Sequence, residues 1–499
     1  MSVAQAVVSG GILFVLYRYL LSTIGVEQIG IWSIVLAITA ASSISELGLS
    51  RSVVKFVAKF MAHADSDKVS VVIQTAAISV CLLIGGMLIM VYPFLAWVLE
   101  HIVPANALQD ALSVLPYAVV SLWITAISGV FQSGLYGCQR IDLSSFVPIL
   151  SSLTRLLLAL LLIPTYGLLG LAFGQVIQAA AALLASWILL RRELTILPAI
   201  PYRWHRALFI QMTRYGVNFQ IISITGMLFD PMTKALLSKF GGLANLGYYE
   251  MAHRMIMQFR ALIVSTNQVM VPVIASLQET TPEHIQSVYK DAYRVLLYFA
   301  LPFYAGIMGA TPIVSELWIG HYEKTFIIFS LLLTTGVFLN TLIGPAYFAN
   351  IGTGRLHWNT VAHITIGVLN GGLGFVFGML FGSVGVVVGW VIAFVTGSSI
   401  VVVAYHLEHH IPASELMPKE NRWLTVGAGA GAASGLLIYF CLHEHVSTLL
   451  LSILSLLAFV AAVFLPFWYH PMRIRLMKWL TNNLQPVQPV YSPIMNSKI

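Results

Sequence analysis

The stretch YGLLGLAFGQVI at Tyr166–Ile177 has a counterpart, FGSVGVVVGWVI, at Phe381–Ile392. Both carry three glycines in the pattern G-x2-G-x3-G, and Gly167 corresponds to Gly382 at an offset of 215. A constant offset between similar segments indicates an internal repeat. Glycines three and four residues apart share one helix face, and such faces let membrane helices approach closely. The pair therefore predicts two halves whose helices pack in the same way.

The repeat extends towards the N-terminal side of each stretch. Arg140 follows Gly137 by three residues, as Arg355 follows Gly352, again at an offset of 215. Further matches lie at nearly the same offset: Leu20-Leu21-Ser22-x2-Gly25 with Leu236-Leu237-Ser238-x2-Gly241, and Gly30-Ile31-Trp32 with Gly247-Tyr248-Tyr249. A single pair of glycines is a common packing pattern. Because the register holds over three blocks, the sequence predicts a true duplication.

The composition places the chain in a membrane. Hydrophobic residues make up 58% of the 499 residues and charged residues 9%, whereas soluble domains carry about 25% charged residues. Apolar runs of about 20 residues are long enough to cross a bilayer as helices. The runs predict an all-α polytopic membrane protein with about fourteen transmembrane helices, one of them over 325–350. The three cysteines indicate neither a disulfide framework nor a metal site, and no cofactor is expected.

The distribution of basic residues orients the chain. With the N-terminus in the cytoplasm, 19 of the 26 Lys and Arg residues fall in cytoplasmic segments and two in the opposite loops. Positive residues favour the cytoplasmic side, so both termini are predicted to be cytoplasmic. The same dispersal argues against a nucleic-acid partner, despite a net charge of +7.

Each repeat contains six predicted spans. Because six is even, the repeats are parallel, and two such bundles form lobes with a cleft between them. The predicted divisions are an N-terminal lobe at 1–200, a second lobe at 201–410, two additional transmembrane helices at 411–472, and a cytoplasmic tail at 473–499.

One segment resembles a known family. EQIGIWSIVLAITAASSISELGLSRSVVKFVAKF (Glu27–Phe60) contains Gly30-x-Trp32, an acidic-Leu-Gly-Leu-Ser step at Glu46–Ser50, and a basic amphipathic stretch. It is similar to bacterial polysaccharide flippases of the Wzx type, in the multidrug/oligosaccharidyl-lipid/polysaccharide (MOP) exporter superfamily. It departs from that pattern in having Glu46 where Asp is commoner and almost no lead before the first span.

The resemblance implies a function that composition does not. Members move undecaprenyl-diphosphate-linked sugars, or drugs, across the inner membrane. The expected partners are a lipid-linked oligosaccharide, membrane lipids and polysaccharide assembly proteins, as in the synthesis of O-antigen, exopolysaccharide or lipopolysaccharide.

Five basic residues fall inside predicted spans, where a charge costs about 2.5–3.5 kcal/mol or more. They are candidate contacts for an anionic substrate in the cleft: Arg18, Arg155, Lys234, Arg254 and Arg260. Arg18 and Lys234 correspond at an offset of 216 and lie on the first helix of each half. Other readings stay open, because Arg18 can snorkel to the interface. Lys234 and Arg254 each follow an acid, Asp230 and Glu250, by four residues and can form ion pairs within a helix.

Three acids are candidates for coupling transport to a proton or sodium gradient: Glu46, Asp230 and Glu250. A buried carboxylate can alternate between charged and neutral states. For Glu46 the alternative is an ion pair at a helix end with Arg51.

Two rival functions remain. A cation-coupled multidrug antiporter of the same superfamily predicts acids on the first span, which instead carries Arg18. A membrane enzyme, such as a polysaccharide polymerase or an acyltransferase, fits poorly with the repeat and the short outer loops. The sequence has no phosphate-binding loop of the GxxxxGK[ST] type, so an ATP-driven pump would need another subunit. The histidines near His406 and His409 lie at a helix end and do not predict a metal site.

Overall fold

The computed structural model of the protein describes residues 3–41, 48–267 and 270–483. Every regular element among these residues is a helix, which confirms the all-α prediction. The α-helices are α1 (Val3–Thr23), α2 (Gly25–Ala41), α3 (Leu49–Ala62), α4 (Ser66–Ile102), α5 (Ala105–Gly137), α6 (Ile141–Glu193), α7 (Arg206–Asn267), α8 (Met270–Thr280), α9 (Ile285–Trp318), α10 (Lys324–Thr341), α11 (Gly344–Thr353), α12 (His357–Glu408), α13 (Arg422–Leu442), α14 (Thr448–Trp468) and α15 (Pro471–Asn483).

Much of this helical structure is apolar enough for a bilayer. Within the described part of the chain, eight helices have the length and hydropathy to cross a membrane, and Val8–Thr23 and Gly25–Ala40 are shorter apolar helices. The single span predicted over 325–350 is instead two helices, α10 and α11. Pro345 lies in the first turn of α11, where its missing N–H leaves no helical bond unmade and its fixed φ favours the start of a helix. The count of fourteen spans stays a prediction.

The repeat-related glycines share an unusual backbone conformation. Gly167 interrupts α6 with φ 54° and ψ −129°, and Gly382 interrupts α12 with φ 63° and ψ −142°. This region of φ/ψ space is open almost only to glycine. Each of these long helices therefore consists of two arms that meet at a glycine, at the same place in each repeat.

A second pair of glycines ends the first helix of each half. Gly25, between α1 and α2, has φ 82°, and Gly242, inside α7, has φ 79°. The sequence matched Gly25 with Gly241, whereas the structure gives the equivalent conformation to Gly242. This part of the repeat therefore runs at an offset of 217, the same separation that joins Ser33 to Glu250 by a hydrogen bond.

Gly242 divides α7 into two arms. Helix α2 and the second arm of α7, after Gly242, pack with their backbones in close contact. Gly30 lies against the backbone of Leu243, and Gly247 lies against the backbone of Val26. At the offset of 217, Val26 corresponds to Leu243 and Gly30 to Gly247, so the two contacts are equivalent. This reciprocal packing joins the predicted lobes.

The N-terminal lobe has a dense apolar core. It is formed by α3, α4, α5 and α6 and includes Val53, Val72, Phe131 and Leu190. The segment from Leu194 to His205, which leads to α7, is held on α4 through polar side chains.

Three buried side chains of α4 make these bonds. The Gln74 Oε1 accepts from the backbone N–H groups of Tyr202 and Arg203, the Thr75 hydroxyl accepts from His205 N–H, and the Ser79 hydroxyl accepts from Trp204 Nε1. Buried polar groups need partners, so these residues fix the path of the connection.

The chain divides into two compact units. The first comprises residues 1–285 and 311–410 and so includes most of both predicted lobes. The second comprises 286–310 and 411–499, so the two additional helices, α13 and α14, group with most of α9. The sequence predicted no such association, and its division at 200 and 410 stays a prediction.

Within the second unit, charged side chains hold a helix to the segment before α13. Arg294 Nη2 lies 3.2 Å from Glu415 Oε2, and its Nε lies 3.3 Å from Glu420 Oε1. The His470 Nε2 lies 2.7 Å from Asn421 Oδ1. These contacts fix the segment before α13 to α9 and to the residues that follow α14.

Candidate functional site

The two arms of α7 bring a lysine and a glutamate together. The chain turns at Gly242, with φ 79° and ψ 171°. Lys234 lies eight residues before this glycine and Glu250 eight residues after it. The Lys234 Nζ is 2.8 Å from Glu250 Oε2, and both side chains are almost fully buried. The turn thus creates an ion pair between the two arms of α7.

Glu250 is the centre of a wider network. Its Oε2 accepts a hydrogen bond from the Ser33 hydroxyl at 2.8 Å, and its Oε1 accepts one from the Tyr17 hydroxyl at 3.2 Å. Arg254, one turn further along α7, donates its Nε–H to the same Oε1. Tyr17 and Ser33 belong to α1 and α2. One carboxylate of the second predicted lobe therefore binds two hydroxyl groups of the first.

Asp230 extends the network along the first arm of α7. Its Oδ2 lies 2.8 Å from Lys234 Nζ, and its Oδ1 lies 3.9 Å from His253 Nδ1. The His253 ring stacks on Tyr249 with centroids 5.4 Å apart. Lys234 is thus held between two carboxylates, one on its own arm of α7 and one on the other arm.

Arg155 contributes a further positive charge from α6. Its charge interacts with Tyr17, Arg254 and Glu250. Its Nε and Nη2 atoms are buried, and among the described residues neither has a hydrogen-bond partner. Buried guanidinium nitrogens without acceptors are costly, so this group is suited to receive an anion that enters the site.

A cavity of about 270 Å³ opens beside these groups. Its lining includes Leu13, Asp230, Lys234, Glu250, Arg254 and Met257. Asp230 and Arg254 keep about a third of their side-chain surface exposed, at 39% and 33%. In the lining, Lys234 and Arg254 balance Asp230 and Glu250. Arg155 is not among the lining residues, but its charge interacts with this group and gives the whole cluster a formal net charge of +1. The cluster beside the cavity therefore favours an anionic ligand.

The other predicted site residues lie apart from this cluster. Arg18 donates from Nη1 to the Leu317 carbonyl at 2.6 Å on an exposed surface, not to the network around Lys234. Arg260 donates from Nη2 to Asn340 Oδ1 at 2.8 Å and lines a different cavity, of about 210 Å³. Glu46 lies outside the described residues. The structure thus brings together Arg155, Asp230, Lys234, Glu250 and Arg254.

Tyr17 and Ser33 were not among the predicted site residues. Hydroxyl groups in an apolar helix are ordinary, and their partner Glu250 lies 233 and 217 residues away. The repeat did carry a signal. At an offset of 217, Tyr17 is equivalent to Lys234 and Ser33 to Glu250. Applying the offset of the Gly30–Gly247 match to polar positions would have paired them.

Solved structures with the same fold are transporters. One, described as the inward-facing conformation of a multidrug resistance MATE family transporter of the MOP superfamily, aligns with a TM-score of 0.71 at 16% identity and covers 81% of this chain and 98% of the other. Lipid II flippase MurJ, in an inward closed conformation, aligns with a TM-score of 0.59 at 13% identity. The alignment covers 89% of this chain and 97% of the other. A MOP superfamily transporter from Pyrococcus furiosus aligns with a TM-score of 0.52 at 13% identity. The alignment covers 80% of this chain and 95% of the other.

The chain therefore shares its fold with these transporters. Residues 2–278, more than half of the chain, match the family described as polysaccharide biosynthesis protein, and the chain belongs to that family. The family match, together with the shared fold and the apolar helices, makes it a multi-pass membrane protein of a transporter class rather than an enzyme. No curated protein sequence matches it significantly. The family resemblance seen in Glu27–Phe60 is confirmed.

Proposed function

We propose that the protein is a flippase that moves an undecaprenyl-diphosphate-linked oligosaccharide across the inner membrane by alternating access. The observation that carries the proposal is that Lys234 and Arg254 line one cavity, while the charge of Arg155 interacts with Arg254 and Glu250 in the same cluster. Arginine and lysine bind phosphate oxygens strongly, arginine with paired donors and lysine as a point charge. The family match gives independent support.

The headgroup contacts follow from the geometry of the cluster. Arg155 offers buried donors from α6, and Arg254 offers a partly exposed guanidinium from α7. A diphosphate between them would bind elements of both predicted lobes at once. Movement of one lobe against the other would then carry the headgroup across, while the prenyl chain stays in the lipid.

The decisive experiment measures flipping in proteoliposomes. Undecaprenyl-diphosphate carrying a labelled sugar is incorporated, and its accessibility to an added glycan-modifying enzyme is followed over time. We expect Arg155→Gln to lower the initial rate by about tenfold or more, because a charge-assisted contact is worth about 1.5–3 kcal/mol. Arg192→Gln is the matched control, since Arg192 is exposed at the end of the same helix.

Normal flipping by the Arg155 variant would contradict the anion site. Absence of flipping by the wild-type protein, when the folded state is verified by size-exclusion chromatography, would contradict the proposed substrate.

The alternative hypothesis, a cation-coupled multidrug antiporter, has one observation in its favour. Asp230 and Glu250 line the same cavity as the cations. Both carboxylates, however, are within ion-pair distance of Lys234, so the cavity lacks surplus negative charge. Uptake of a cationic dye into everted vesicles is expected to show no dependence on the protein, and saturable dye transport would favour the antiporter.

Asp230 and Glu250 stay candidates for coupling to a proton or sodium gradient. An imposed pH or sodium gradient across the proteoliposomes tests this, because a coupled flippase changes its rate when the gradient is reversed. We also propose the inner membrane as its site of action, both termini in the cytoplasm, and polysaccharide assembly proteins as its neighbours.

A further inference from the structure

We infer that Glu250 is an internal counter-ion that occupies the anion site in the empty transporter, and that substrate phosphate opens the contact between α2 and α7 by taking its place. The inference rests on the proposed function and gives that site a coupling role. It names Glu250 as a positioning residue, which acts through Lys234, Arg254, Tyr17 and Ser33.

The carboxylate of Glu250 holds the two cations, Lys234 and Arg254, that a phosphate group in the cavity would bind. Each of its two oxygens receives one cation and one hydroxyl: Lys234 and Ser33 at Oε2, Arg254 and Tyr17 at Oε1. The two cations suit any compact oxyanion. In the empty protein Glu250 neutralises Arg254 and shares Lys234 with Asp230. A buried cation without enough acid beside it is costly.

A ligand can reach this arrangement. Arg254 is about one-third exposed, and the cavity of about 270 Å³ touches Lys234, Glu250 and Arg254 together. An entering phosphate therefore meets the exposed part of Arg254 first and binds Lys234 and Arg254 fully after it displaces the carboxylate. The charge of Arg155 adds to the attraction.

Displacement has a consequence for the contact between the lobes. Tyr17 and Ser33 reach across from α1 and α2, and their acceptor is the Glu250 carboxylate. Tyr17 and Ser33 are not among the residues that line the cavity. When a phosphate in the cavity holds Lys234 and Arg254, the carboxylate is repelled and both hydroxyl groups lose their acceptor. A ligand that binds the separated form better shifts the equilibrium towards separation. Substrate binding is thereby linked to movement of α2 away from α7.

The duplication explains why only one acid serves this purpose. At the offset of 217, the first half carries Ser33 where the second carries Glu250, and Tyr17 where the second carries Lys234. The first half thus supplies neutral donors and the second supplies the ion pair. Two acids at these positions would repel each other across the contact, whereas a serine and a glutamate attract.

The test combines the isosteric variant Glu250→Gln with a cysteine at position 243 that reports when α2 and α7 separate. Leu243 packs with Gly30 at the same contact and is 7% exposed. Leu243→Cys, in a protein whose three native cysteines are replaced by serine, reacts with a maleimide only when α2 moves away. Binding is measured with inorganic pyrophosphate as the probe, by calorimetry on the full-length detergent-solubilised protein.

We expect pyrophosphate to accelerate labelling of the reporter with Glu250 present. Glu250→Gln should label about tenfold faster without ligand and bind pyrophosphate about tenfold more tightly, because its competitor carries no charge. The double variant Tyr17→Phe with Ser33→Ala keeps every charge. It should also label faster but bind pyrophosphate within about twofold of the parent.

Three results separate the possible failures. If the parent binds pyrophosphate but Glu250→Gln binds it equally or more weakly, Glu250 does not compete, and the inference is overturned while the anion site stands. If Glu250→Gln does not fold, unchanged labelling of the double variant overturns the inference instead. If the parent binds neither pyrophosphate nor undecaprenyl diphosphate, the proposed function fails, and the inference fails with it.

Discussion

Gly30 on α2 lies so close to Leu243 on α7 that a Cβ atom at position 30 would be 2.1 Å from the Leu243 carbonyl oxygen. The equivalent contact has the same geometry, because a Cβ atom on Gly247 would be 2.2 Å from the Val26 carbonyl oxygen. Both distances are far inside van der Waals contact. The two glycines therefore permit a closure of the lobes that no other residue allows.

Replacement of these glycines should prevent closure. We expect Gly30→Ala or Gly247→Ala to hold α2 and α7 apart, to raise maleimide labelling of Leu243→Cys, and to reduce flipping by about tenfold or more, since closure is one half of alternating access. Gly86→Ala is the control, because nothing lies within 4 Å of a Cβ at that position. Alanine favours a helix interior, so a loss at positions 30 and 247 alone would be steric. Full activity of either variant would show that this contact need not form.

The paired breaks in α6 and α12 should tolerate only glycine. At Gly167 a Cβ would meet nothing within 4 Å, so the cost of alanine there is conformational. The backbone of Gly167 has φ 54° and ψ −129°. A residue with a side chain adopts such a conformation only at a cost of about 1–3 kcal/mol. We expect Gly167→Ala and Gly382→Ala to lower the thermal unfolding temperature in detergent. An unchanged temperature in both would mean that the arms of these helices readily straighten.

Much of this arrangement is visible in the sequence, for a physical reason. Glycine spacing predicts the repeat because Gly167 and Gly382 occupy backbone conformations that other residues avoid. Pairs four residues apart, such as Asp230 with Lys234, are also predictable because helical geometry alone brings them together. Local rules thus identified two acids, Asp230 and Glu250, and two cations, Lys234 and Arg254, of the site.

The rest depends on tertiary contacts. The bond from Ser33 to Glu250 joins residues 217 positions apart, and no local rule pairs them. The repeat was read at 216 near the first helix, which matched Lys234 with Arg18 rather than with Tyr17. One residue rotates a helix position by about 100°. Tyr17 and Arg18 are one residue apart, and this is why Tyr17 bonds to Glu250 while Arg18 bonds to the Leu317 carbonyl.

A strained residue offers a stabilising substitution. Gln139, after the end of α5, has φ 60°, and its equivalent in the second half, at the offset of 215, is Gly354 with φ 73°. A left-handed conformation costs a non-glycine residue about 1 kcal/mol, and glycine is the preferred residue after a helix. We expect Gln139→Gly to stabilise the protein by about 0.5–1 kcal/mol and Gly354→Gln to destabilise it by a similar amount. Thermal unfolding of the two variants is the measurement, and shifts in the same direction would contradict the argument.

The second compact unit should lose stability in acid through His470. Its Nε2 lies 2.7 Å from Asn421 Oδ1, which can only accept, so Nε2 carries the proton. Its Nδ1 accepts the Met472 N–H at 3.2 Å. Burial lowers the pKa of His470, while Glu420 opposes and Arg475 adds to this effect. Protonation of Nδ1 would also break the bond to Met472.

The sign of the pH dependence follows from that depressed pKa. The unfolded chain binds a proton near pH 6.5, whereas the folded protein does so only at lower pH, so stability is complete above 6.5 and falls as the pH drops through the folded pKa. Hydrogen exchange of the first turns of α13 and α15, corrected for intrinsic rates, should show weaker protection at pH 5 than at pH 8. His470→Gln should flatten this dependence, while His445→Gln, at an exposed position of the same unit, should preserve it. An equal pH response in the His470 variant would assign the effect to other groups.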